Sequence, residues 1–228
     1  MSLKRGVPGL QFAYKNYAIV PQEIDRYEQF IVAFPSLDNK WFGTTAVTGT
    51  ADTKALVIRN AIADYPRNVE FAIAGSHDAI GGTCIVNGNN QFGVNISETL
   101  TFSKASLGGT GVGTKVFAQI TSGTIYFGTY AGSGTSRVGV GTTGTTTLFG
   151  LPFKIGGTGD VKNIAWQNGT GALTVNGGTV GGFVDATLHA IKAPTTIAGT
   201  MIMSVIAKPT YDPESNQGQG LMAAGTQI

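Results

Sequence analysis

Charge is scarce in this chain. Only 12% of its 228 residues are Asp, Glu, Lys or Arg, roughly half the share of an average soluble protein. Fifteen basic and thirteen acidic side chains nearly cancel, for a formal +2, and the basic ones are scattered. With no electrostatic stripe to track a phosphate backbone, nucleic acid is not expected as a partner. The single cysteine, Cys84, has no partner for an intrachain disulfide, and its alternation with Val86 makes it a small core residue. Met1 to Gly9 lack a charged region followed by an apolar one and a cleavage site, so synthesis and retention in a cytosol are expected. The two histidines, His77 and His189, have no third ligand spaced for a zinc set. Neither a metal site nor a cofactor is expected. His77 reads as a loop residue and His189 as one face of a strand. Long hydrophobic runs are also missing: Val116 to Ser136, a long uncharged stretch, could cross a bilayer by length but is broken by Thr, Ser and glycine, so no membrane span is expected.

What the chain does hold is glycine and short β-forming runs. There are 34 glycines against 8 prolines, with no G-X-Y period, which excludes collagen. Twenty-five of the glycines lie between Gly81 and Gly182, spaced between runs rich in Val, Ile, Thr, Phe and Tyr. These runs read as strands and the glycines as turns. Charge does the opposite: fifteen charged residues fall at or before Glu70. Two compositional regimes share one polypeptide.

Residues 1–20 mix Lys4, Arg5 and Lys15 with apolar side chains, and Gly6, Pro8 and Gly9 break any regular element. This reads as an extended arm reaching about 65 Å if fully stretched, at roughly 3.3 Å per residue. Leu10, Phe12, Tyr14, Tyr17 and Ile19 are costly to leave in water, and they are the residues expected to order on a partner. In the following stretch, Ile24, Tyr27, Ile31 and Phe34 follow a three-four spacing, with Pro21, Glu23 and Asp25 suited to a helix N-terminus. One short helix is predicted there, although Tyr27 to Phe34 also reads as a strand.

From Trp41 onward the pattern is β. TCIVNG (83–88) and VNISETLTF (94–102) are predicted to form a hairpin through Asn87-Gly88-Asn89-Asn90, the second strand slipping its alternation near Glu98 through a bulge. KVFAQIT (115–121) and TIYFGTY (124–130) are predicted to pair through Ser122-Gly123. The expected fold is all-β: two small sandwich or barrel-like domains at 41–130 and 131–211. Residues 1–40 form the arm and possible helix, and residues 212–228 a polar tail.

Catalytic signatures are weak. GGTGVGTK, Gly108 to Lys115, is followed by a strand where a phosphate loop needs a helix, and Gly139, Gly141 and Gly144 match G-x-G-x-x-G with the same defect. No G-x-S-x-G elbow exists. Asp160 and Asp185 flank strands and suit solvated turn ends better than a glycosidase pair. Tyr126, Phe127, Tyr130 and Trp166 offer aromatic surface of the kind sugars use, but alternating strands bury one face, which makes most of them core. No catalytic residue is assigned, and no enzyme is expected.

Several segments nevertheless resemble a pattern in virion structural proteins of tailed bacteriophages. A strand ending in Gly-x-(Asn/Asp)-Gln-Phe-Gly, here Gly88 to Gly93, turns into a Ser-Glu-Thr strand, here Ser97 to Leu100. A Thr-Lys-x-Phe strand follows, here Thr114 to Phe117. The glycine-rich strand with Gly-Leu-Pro at 138–155 is similar too. The resemblance implies a β-rich particle component without catalytic duty, a capsid decoration or cement protein made in the host cytoplasm and located in the virion. Its partners would be the major capsid protein and neighbouring copies of itself, as a homotrimer by analogy. A tail, baseplate or head-fibre component and a host-glycan-binding adhesin are the alternatives.

Overall fold

The computed structural model describes residues 25–32, 42, 45–48, 52–59, 61–75, 82–102, 110–127, 133–140, 146–176, 180–195 and 200–210. Within them the protein is all-β, its antiparallel sheets curling into a half-barrel.

Strand β1 (Arg26–Val32) occupies the stretch read as a possible helix. Its three-four apolar spacing is overridden by pairing: all seven residues lie opposite β14 (Met201–Ala207), from Arg26↔Ala207 to Val32↔Met201. The sequence alternative, a strand from Tyr27, is the one adopted. β14 alternates strictly, burying Met201, Met203, Val205 and Ala207. With β10 (Val161–Asn168) and β11 (Thr174–Asn176) these strands form a four-stranded sheet in the order β1-β14-β10-β11.

The second sheet has ten strands. Its main path runs through β12 (Val184–Asp185), β13 (Ala190–Lys192), β9 (Leu148–Gly150), β4 (Ile62–Gly75), β7 (Thr110–Phe127), β5 (Gly82–Asn89) and β6 (Asn95–Phe102). β2 (Thr45–Thr48) pairs with β8 (Ser133–Val140), β3 (Asp52–Ala55) with β7, and β8 also with β4. Strands from both sides of residue 130 therefore share one sheet. The cores divide differently. One is drawn from Phe42 to Phe127, with Phe71 and Phe102 4.6 Å apart. Another joins Phe30 to residues between Phe149 and Ala207, with Phe30 stacked on Tyr65 at 3.8 Å. Val116, Leu148 and Ala190 make a small third cluster.

The β5–β6 hairpin forms with continuous register from Gly82↔Phe102 to Asn89↔Asn95. Its turn sits three residues later than expected, because Asn87 to Asn89 remain paired. Asn90 turns the chain instead: its Oδ1 accepts from the Phe92 and Val94 amides, and Gly93 takes φ +77°, a value that favours glycine. The second expected hairpin is absent. β7 runs unbroken through Ser122-Gly123, with one bulged residue where its partner steps from Asn87↔Ser122 to Gly88↔Ile120. Gly123 serves close packing, since a Cβ there would lie 2.6 Å from Phe42 Cζ. Gly82, Gly88 and Gly113 are likewise strand residues pressed against other chain segments. Reading glycines as turns was wrong at these positions, where the missing side chain makes room for a neighbour.

Candidate functional site

The segments that carry the bacteriophage resemblance meet where β6, β7 and the β5–β6 turn approach β9. β6 buries Glu98, Leu100 and Phe102 on one face, with Ile96 half-buried beside them. Alternation runs straight through Glu98 without the predicted bulge, and its pairing to Val86 is regular. The strand thus places a carboxylate in a row of apolar side chains. β7 supplies what that carboxylate needs. The Thr114 amide donates to Glu98 Oε1 at 2.6 Å, the Thr114 hydroxyl at 3.0 Å and the Lys115 amide at 3.2 Å. In return Lys115 Nζ donates to the Ser97 carbonyl at 2.6 Å. Ser-Glu-Thr and Thr-Lys are therefore two halves of one latch. Gly113 is its clearance, since a Cβ there would lie 2.5 Å from Glu98 Oε2.

Asn68 closes the same junction from β4. Fully buried, it donates through Nδ2 to the Gly113 and Thr146 carbonyls, both at 2.8 Å, and accepts from the Leu148 amide at 3.0 Å. One side chain thus ties β4, β7 and the entry to β9. Next to it Arg67, also fully buried, meets Asp64 at 2.6 Å. Burial lowers the Arg67 pKa, and the Asp64 carboxylate opposes that shift. Paired this way, the guanidinium keeps a counter-charge inside the fold.

The hairpin tip completes the cluster. Gln91 Nε2 donates to the Leu188 carbonyl at 2.8 Å, and Phe92 meets the His189 ring edge-on at 5.5 Å. Gly150, which opens the Gly-Leu-Pro segment, lies against Val116 and Gln91 so closely that a Cβ would sit 2.7 Å from Val116 Cγ1. His189 is in a turn ahead of β13, not on a strand, and holds φ +49°. Its Nδ1 lies 3.2 Å from the Ile155 amide and 3.1 Å from the Ile155 carbonyl. Burial lowers its pKa; the Ile155 carbonyl and Asp185 raise it, and Lys154 lowers it further. A hollow of about 360 Å³ opens here, lined in part by Phe92, Val94, Lys115, Lys154 and His189.

Chemically this assembly holds strands in place. The Glu98 oxygens already accept from β7, and the described residues that line the hollow beside His189 include no serine or cysteine. Among the described residues, no group of three or more His, Cys, Asp or Glu side chains is placed to hold a metal ion. No helix among them is long and apolar enough to cross a membrane, which leaves β-barrel insertion unaddressed.

The other sequence candidates fall as follows. Leu10, Phe12, Tyr14, Tyr17 and Ile19 lie outside the described residues, as do His77, Tyr130, Ile24 and Phe34. Cys84 is buried in the first core, which pushes its thiol up to about 12. Asp160 Oδ2 accepts from the Gly156 and Gly157 amides, and Asp185 Oδ1 from the Leu188 amide. Both organise turns. Tyr126 is exposed, Phe127 buried and Trp166 packed against Phe183, so these aromatics do not form one platform. Sequence reading missed Asn68, Arg67 and the Glu98 latch. For Glu98 the signal was visible as the apparent slip in alternation.

No family model matches the chain, and neither does any curated protein. Among solved structures it is similar to one of infectious bursal disease virus, Gx strain, at 13% identity and a TM-score of 0.27, with 89% of this chain and 46% of that one covered. It is also similar to the VP2 subviral particle of infectious bursal disease virus, at 11% identity and a TM-score of 0.23 over 89% and 46%. The chain thus spans less than half the length of these viral chains.

Proposed function

We propose that this protein is a non-enzymatic structural component of a tailed-bacteriophage virion. In this reading it is a capsid decoration or cement protein on the outer surface of the shell, binding the major capsid protein through residues 1–20 and through strand edges. The supporting observation is the position of β1. It is an edge of its sheet, pairing with β14 alone among the described strands, and it is the strand into which the N-terminal segment runs. A sheet edge joined to an apolar extension is suited to β-strand addition. Many copies on one closed lattice would multiply a modest contact. The convergence of the resemblance segments into one hydrogen-bonded junction fits a module built for rigidity.

Co-sedimentation with purified shells tests this. The full chain should pellet with shells, and a version lacking residues 1–20 should remain in solution with an unchanged melting temperature. Full decoration by the shortened protein would overturn the arm's role, and failure of the full chain to bind would overturn the decoration reading. Rings or tubes of purified protein in electron micrographs would favour a tail component instead.

A further inference from the structure

The four-stranded sheet packs one face on the second core, through Phe30, Ile164, Met201, Met203 and Val205. Its other face is open and uncharged. Tyr27 is 58% exposed, Ile31 57%, Leu173 65% and Val175 55%, with Ile202 and Ile206 half-buried between them. Register aligns Tyr27, Ile206 and Asn163 in one row and Ile31, Ile202 and Gln167 in another. Tyr27, Asn163, Gln167, Leu173, Ile202 and Ile206 help to shape a hollow of about 440 Å³ whose lining contains no charged side chain. Its polar groups are partly satisfied within the face, as Ser204 Oγ accepts from Tyr27 Oη at 3.2 Å and from Gln29 Nε2 at 3.3 Å. A contiguous apolar patch of this kind marks an interaction site.

We propose that this face receives residues 10–19 of a second copy of the chain, while the first copy's own segment is received by a neighbour. This deepens the assembly reading above and rests on it: residues 10–19 join copies of the chain, and residues 1–9 and the strand edges are left to meet the shell. Four strands at about 4.8 Å spacing and seven residues at about 3.3 Å give a face of about 400 Å². A stable complex buries about 800 Å² per partner, so two such faces pressed together fall short. Reciprocal exchange of two segments gives each copy one face covered and one segment buried, which reaches that size. The segment is long enough: seven or eight of its ten residues, extended, span about 25 Å, the length of the face. The chemistry fits as well. Leu10, Phe12 and Tyr14 alternate, so an extended segment presents all three to one side, and Lys15 is the only charge between Leu10 and Ile19. Twenty-four residues precede Asp25 and enter the sheet at β1, the edge of this same face.

Disulfide trapping tests the exchange in solution without shells. Chains carrying Tyr14→Cys are mixed with chains carrying Leu173→Cys and mildly oxidised; the native Cys84 is fully buried and silent. The expected result is a cross-linked dimer on a non-reducing gel, at least five-fold reduced when Ile31→Lys is added to the Leu173→Cys chain. Absence of the dimer, or a dimer undiminished by Ile31→Lys, would overturn the proposal. So would a Tyr14→Cys/Leu173→Cys double variant that closes only within one chain. Sedimentation of the unmodified protein at tens of micromolar should show dimers or larger species, and a monomer throughout would overturn it. Because no shell is present, these failures leave the decoration reading standing. A cross-linked dimer that does not bind shells would remove the capsid partner and keep the exchange.

Discussion

Replacing Glu98 separates a carboxylate that organises two strands from one that is simply tolerated in a core row. Its Oε1 accepts three hydrogen bonds from Thr114 and Lys115, at 2.6, 3.0 and 3.2 Å. A bond to a charged acceptor contributes about 1.5–3 kcal/mol, and a buried amide left without a partner costs about 1–3 kcal/mol. The Thr114 and Lys115 side chains are exposed, so water can replace part of what is lost. We therefore expect Glu98→Ala to destabilise by about 3 kcal/mol, a fall in Tm of about 6–12 °C for a chain of this size. Glu98→Leu is the sharper probe. It would extend the apolar row of Ile96, Leu100 and Phe102, and full burial of a leucine contributes about 1.5–3 kcal/mol. If the carboxylate organises the junction, the lost acceptors outweigh that gain, and urea denaturation should show a net loss of up to about 1.5 kcal/mol. Hydrogen exchange at the Thr114 and Lys115 amides should accelerate in the same variant. A Glu98→Leu protein as stable as the parent, with those amides still protected, would refute the reasoning.

Asn68→Ala removes three bonds at once and should cost about 3 kcal/mol at roughly 1 kcal/mol each, read as a lowered urea midpoint. Gly123→Ala places a methyl 2.6 Å from Phe42 Cζ and should cost about 1–3 kcal/mol through overpacking, measured by thermal melting. His189 has a folded pKa below the unfolded value of 6.5, so the unfolded chain binds its proton first as pH falls. Its stabilising contribution is complete above about pH 6.5 and declines below it, levelling beneath the folded pKa. His189→Asn, which accepts positive φ, should flatten the slope of Tm against pH between 7 and 5. Cys84, buried and with its thiol pushed up to about 12, should react with a thiol reagent no faster than the protein unfolds.

Much of the fold was legible where independent physical signals agreed. The alternation of β6 and the polar stretch before it located the β5–β6 hairpin, because period two and turn chemistry agreed. The signals failed where one residue type serves two ends. Glycine marks a turn when φ is positive, as at Gly93, and a close approach when a neighbour needs room, as at Gly123 beside Phe42. Composition cannot separate these uses, and so the unbroken β7 was read as two strands. β1 shows a different limit. Ile24, Tyr27, Ile31 and Phe34 satisfy a helical spacing, but the strand is chosen by β14, more than 160 residues away, which offers seven partners in register. No local window contains that information.

The junction was hidden for a related reason. Asn68 and Arg67 are polar residues at the start of an apolar run, the usual look of a strand entering from a solvated loop, and only the arrival of the Gly113 carbonyl and the 146–148 segment turns Asn68 into a buried tie. Glu98 did leave a trace, because a charge on the inward side of a strand breaks a pattern that its neighbours keep. A buried carboxylate is unfavourable unless donors wait for it, so such a break marks either a bulge or a partner strand carrying those donors. Thr114 and Lys115 are that partner. Their amides, together with the clearance at Gly113, turn an apparent irregularity into the contact that fixes β6 against β7. In a chain with so few charges, the position of one inward glutamate therefore carries more structural information than the many glycines around it.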